Sequence, residues 1–125
     1  MPYHYILANL LAANEGAVGV LFLDDSGETV DLAVAEMSPY QMRVVGAYVG
    51  IYLRQMENFL RSEDHGAPRW LHIEKDALHI YAVPLPDGYY LVLVQRAPAL
   101  AAAARRALEE AAEHLARELF AVHGG

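Results

Sequence analysis

Cysteine is absent from this chain, and lysine nearly so. Without a thiol there is no disulfide framework, no thiolate metal site and no cysteine nucleophile. Lys75 is the only lysine; the other basic residues are arginines, dispersed along a chain whose formal charge is −7. A surface that tracks nucleic-acid phosphates needs clustered positive charge, so the composition argues against nucleic acid as a partner. Hydroxyl nucleophiles are few: Ser26, Ser38, Ser62 and Thr29. No GxSxG, glycine-rich phosphate loop or HExxH occurs, so no catalytic residue is nominated and no cofactor is expected. No apolar run approaches the roughly 18 residues of a membrane helix, and MPYHYILANL carries no basic stretch ahead of its apolar residues. The expectation is a cytoplasmic, noncatalytic protein with no membrane partner.

Apolar residues, by contrast, are plentiful. At 125 residues and 55% hydrophobic composition, the chain is expected to form one domain, 1–125, with ample material for a core. Ile6, Leu7, Leu10 and Leu11 lie at helical spacing over 4–14, ahead of Gly16. AVGVLFL (17–23) and ETVDLAVA (28–35) read as two strands joined through DDSG. Clustered carboxylates after a strand can hold a metal or accept a phosphoryl group. Such chemistry needs a lysine or further acids beside it, so Asp24 and Asp25 are expected to form a turn closed by Gly27.

Ser38 followed by Pro39 is a helix start, and the spacing predicts a helix over 39–62. Met42, Val45, Tyr48, Val49, Tyr52, Leu53, Met56, Phe59 and Leu60 share one arc of this helix, and Val44, Ala47 and Ile51 widen it beyond what one sheet face requires. A second partner for that arc is therefore expected. Gly46 and Gly50 cost about 1 kcal/mol each relative to alanine in a helix, which predicts close approach by another backbone. After the polar connector 62–68, three strands follow at 70–74, 78–83 and 89–95, with Lys75-Asp76 and 84–88 as their turns. A final helix is expected from Pro98, with Leu100, Ala104, Leu108, Leu115 and Leu119 on its buried stripe.

The element order, helix, two strands, helix, three strands, helix, resembles the roadblock and dynein light chain family in its bacterial branch. The resemblance is carried by GAVGVLFLDDSGETVDLAV, VVGAYVGIYLRQM, LHIYAVPLPDGYYLVLV and the terminal amphipathic helix. It implies an α+β fold: a five-stranded antiparallel sheet with the long helix on one face and the N- and C-terminal helices on the other. It also implies dimerisation through the long helix and third strand, and a role as partner or regulator of a Ras-like small GTPase. The dimer surface then falls on Ala47, Val49, Ile51, Tyr52 and Met56 of the helix and on Trp70, His72 and Glu74 of the strand. The excess apolar arc leads independently to a homodimer, a paralogue heterodimer being the variant of it, because a two-fold axis covers the same patch on both copies.

Tyr40 and Arg43, on the first turn of the long helix, and Arg54, on its polar face, are the candidates for contacting another protein. A rival function is a metal or small-ligand sensor. If the third and fourth strands turn through Lys75-Asp76 alone, His72 lies directly opposite His79 with Glu74 on the same face, a set that could bind zinc.

Overall fold

The hairpin at Asp24 ties the first two strands together. Its Oδ1 accepts hydrogen bonds from the backbone N–H groups of Ser26 and Glu28, both at 2.9 Å. The Asp24 N–H donates to the Glu28 carbonyl and the Gly27 N–H to the Asp24 carbonyl. Gly27 adopts φ +83°, a left-handed conformation that a side chain disfavours. The DDSG stretch is thus a turn. Asp24→Ala leaves two N–H groups without their acceptor and is expected to lower stability by about 1–2 kcal/mol, read by urea unfolding. A loss within the error of that measurement would show that the carboxylate does not anchor the turn.

A computed structural model describes residues 3–61 and 69–123. Its elements are α1 (His4–Ala13), β1 (Ala17–Leu23), β2 (Thr29–Val34), α2 (Pro39–Arg61), β3 (Leu71–Glu74), β4 (Leu78–Pro84), β5 (Tyr90–Arg96) and α3 (Ala101–His123), with a single 3₁₀ turn at Pro86–Gly88. All strand pairs are antiparallel, in the order β2-β1-β5-β4-β3. Both β2 and β3 are therefore edges. The apolar run of β5 lies at the centre, buried from Tyr90 through Gln95, as its lack of alternation predicts.

Alternate residues of each strand feed two cores. On one face Val20, Phe22, Tyr81, Val83, Leu91 and Leu93 pack against Ile6, Leu7 and Leu10 of α1 and Leu108, Leu115 and Leu119 of α3. On the other, Leu21, Leu23, Val92 and Val94 meet Met42, Val49 and Leu53 of α2. The expected three-layer arrangement is the observed one.

Capping sets the start of α2. Ser38 Oγ accepts from the Gln41 N–H while Gln41 Oε1 accepts from the Ser38 N–H, both at 3.1 Å, a reciprocal box that satisfies two otherwise free donors. The helix lies close to the hairpin because of its glycines. A Cβ on Gly46 would stand 2.0 Å from Leu21 Cδ2, and one on Gly50 would stand 3.4 Å from the Gly27 Cα. The predicted close approach of backbone occurs at Gly50; at Gly46 the neighbours are leucine side chains of β1.

The largest departure from the expected boundaries is at the last helix. Helix α3 begins at Ala101 rather than Pro98, because the Ala97 N–H is still held by the Ala77 carbonyl at 2.9 Å, which keeps the chain beside β4. The connector 62–68 lies outside the described residues, as do the side chains of Phe59 and Leu60. Among the described residues no helix is long and apolar enough to cross a membrane.

Candidate partner-binding surface

Helix α2 packs against β1 and β2 at one side of its sheet face. The rest of that face, where Leu71, Leu78 and Ile80 line up beside it, is only half-buried. Beside this strip the helix turns a row of large apolar side chains outward: Val44, Tyr48, Ile51, Tyr52 and Met56 are all exposed, and so is Ala47. Their spacing of three and four residues makes one stripe. Burying each such side chain fully contributes about 1.5–3 kcal/mol, so a stripe of five left to water is costly and invites a partner.

Val49 does not belong to this stripe. It is 2% exposed and packs in the core with Leu21, Leu23, Met42 and Leu53. Its position, two residues from Ile51, lies on the opposite side of the helix wheel. The wide arc seen in the sequence is two arcs, one facing the sheet and one facing outward, and periodicity alone does not divide them.

The expected strand residues also separate. Trp70 packs on the α3 side, stacked on Tyr81 at 5.6 Å with the Arg105 guanidinium 4.9 Å above its ring. His72 stacks on the same Tyr81 at 4.7 Å. The side chains of Trp70, His72 and Glu74 thus lie across the sheet from the α2 stripe. What β3 shares with that stripe is its backbone edge, together with Leu71 and Ile73, which alternate onto the α2 face. These two residues are absent from the sequence-derived set. The strand's strict alternation carried the signal, since 71 and 73 have the parity opposite to 70, 72 and 74.

Of the three candidates for contacting another protein, two stand free. Tyr40 is 75% exposed and Arg43 is exposed beside it. Arg54 is engaged within the fold: its guanidinium donates to the Ser26 carbonyl and lies over Gly27, clasping α2 to the β1-β2 turn.

The histidine pair is in contact, but in another register. Glu74 is opposite His79 and His72 is opposite Tyr81, because the turn closes through Lys75 and Leu78, whose N–H and carbonyl bond at 2.8 Å. His72 and His79 therefore meet on a diagonal, Nε2 to Nδ1 at 2.8 Å, with stacked rings. That hydrogen bond occupies the two nitrogens that would have to face a shared metal. The other nitrogen of His79, a residue 6% exposed, lies 3.9 Å from Glu74. The three groups form a chain rather than a converging set, and among the described residues no group of three or more such side chains could hold a metal ion. Behind them burial, and then the Glu74 carboxylate, push the Tyr81 phenol above its ordinary range; its hydroxyl donates to Gln95 Oε1 at 3.2 Å.

Five antiparallel strands with one long helix on one face and two on the other define a three-layer α+β fold, with an apolar stripe left exposed on the long helix. The fold is that of the roadblock/LC7 domain. A roadblock/LC7 domain from Streptomyces avermitilis superposes with a TM-score of 0.82 at 14% identity, over 93% of this chain and 96% of that one. Myxococcus xanthus MglB gives 0.85 at 12% identity, over 97% of both chains. An MglB with tetrameric arrangement gives 0.82 at 19% identity, over 93% of this chain and 86% of that one. No family model matches the sequence, and no curated protein matches it.

Proposed function

We propose that this chain is a noncatalytic protein-binding module that acts as a homodimer, and that its partner is a Ras-like small GTPase. The observation that carries the proposal is the outer stripe of α2, continuous with the half-buried strip of sheet face at Leu71, Leu78 and Ile80. A second copy brought up by a two-fold axis covers both at once and lays β3 against its own copy, joining two sheets into one. The resemblance in element order, and a fold shared with an MglB of tetrameric arrangement, support assembly of this kind.

The GTPase half of the proposal rests on the same resemblance. Tyr40 and Arg43, exposed at the start of α2, lie at the N-terminal end of the stripe, and supply an aromatic ring and a fixed positive charge for a second protein. Docking there acts on the GTPase by favouring one of its switch conformations.

The test is capture from native lysate with the purified protein, in GDP and in a nonhydrolysable GTP analogue, with the retained proteins identified by mass spectrometry. Retention of a small GTPase in one nucleotide state is expected. Arg43→Ala should weaken it by about tenfold while leaving the dimer's mass unchanged. If no small GTPase is retained in either state, the proposed partner is wrong.

A further inference from the structure

The two edges of the sheet offer different things to an incoming strand. In the β1-β2 ladder the Ala35 N–H donates to the Val18 carbonyl at 3.1 Å. In the register that pairs Leu21 with Leu32 and Gly19 with Val34, the backbone groups of Leu32 and Val34 then point away from β1, out of the sheet edge, while the register shift beyond Asp31 makes Val30 a bulge. That of Leu32 is already occupied: its N–H donates to Asp31 Oδ1 at 2.8 Å.

The carboxylate that caps it is itself held. Asp31 Oδ2 is buried and accepts no hydrogen bond among the described residues. It lies 3.4 Å from His4 Nδ1 at the start of α1, and the Asp31 side chain is 14% exposed. Edge β3 is built otherwise. With Lys75 bonded to Leu78 and Glu74 opposite His79, the outward groups are those of His72 and Glu74, and among the described residues no acceptor meets either N–H.

We infer that Asp31, positioned by His4, closes the β2 edge to the addition of a strand from a second copy of this chain. An incoming strand at β2 has to displace the Asp31 carboxylate from Leu32 and set its own carbonyls against a negative charge, which a sheet edge tolerates poorly. His4, when protonated, opposes the charge of the buried oxygen and keeps the carboxylate over the edge. Its role is that of a positioning residue. The inference concerns β2 and does not depend on whether β3 pairs in the wild type.

Asp31→Thr replaces the carboxylate with a neutral strand former, and sedimentation velocity of the full chain over a concentration series reads the outcome. Species larger than those of the wild type are expected, with self-association stronger by about tenfold or more. Adding Glu74→Pro, which obstructs the β3 edge, is expected to leave this new growth in place. A folded Asp31→Thr protein that matches the wild-type mass distribution at every concentration overturns the inference, and so does growth that Glu74→Pro abolishes. Amide hydrogen exchange on the wild type needs no variant. The Leu32 amide is expected to be protected while that of Val34 exchanges freely, and equal exchange at the two likewise overturns it.

Discussion

Ile51→Glu is expected to turn the proposed dimer into a folded monomer. Ile51 is 43% exposed on the outer stripe of α2, so in a monomer the glutamate reaches water and the helix loses little. In a dimer the same glutamate is carried into an apolar interface and, by the two-fold axis, meets that interface twice. A loss of about 2 kcal/mol for each copy amounts to roughly a thousandfold weaker association. Light scattering after size exclusion reads the mass, and circular dichroism the fold. A wild type that is monomeric at micromolar concentration sinks the dimer, and an Ile51→Glu protein that stays dimeric removes α2 from the interface.

Val49→Glu, two residues away, has the opposite outcome. Val49 is 2% exposed, inside an apolar cluster with Leu21, Leu23, Met42 and Leu53. A carboxylate there loses its hydration with no partner to replace it, and it also removes a packed side chain. The cost is on the order of 4 kcal/mol or more, a large share of the 5–15 kcal/mol that holds a domain together. The variant is expected to be insoluble, or to melt at least about 15 °C below the wild type. A soluble Val49→Glu monomer with wild-type thermal stability would mean that this side of α2 does not face the sheet. Run together, the two variants separate a binding face from a core face on one helix.

Much of the fold was legible because local chemistry announced it. The capping Ser38 ahead of Pro39, the glycine after DDS, and the continuous apolar run of β5 each point to one local structure. Boundaries failed where the cause was distant: α3 starts late because Ala97 is held by Ala77 on another strand. The histidine pair shows the same division. That His72 and His79 lie on one face follows from alternation, but their pairing depends on a turn that closes one residue further on each strand than two-residue turn chemistry suggests. The shift moved them from opposite to diagonal and left them hydrogen-bonded to each other.

The binding surface was legible as an excess and illegible as a list. An apolar arc too wide for one sheet face is a property of composition and spacing, and it raises the expectation of a second partner. Which residues belong to that partner depends on the rotation of α2 about its own axis. That rotation is set by Gly46 settling against Leu21 and by Arg54 clasping the Ser26 carbonyl. Periodicity carries no zero of angle, so Val49 and Ile51 look equivalent until the sheet is in place. The sequence by itself determined the α+β order of elements, the turn at Asp24 and the surplus of apolar residues on α2, because each rests on spacing between near neighbours. Only the tertiary structure decided which side of α2 faces outward and which groups each sheet edge leaves free, because both are relations between segments far apart in the chain.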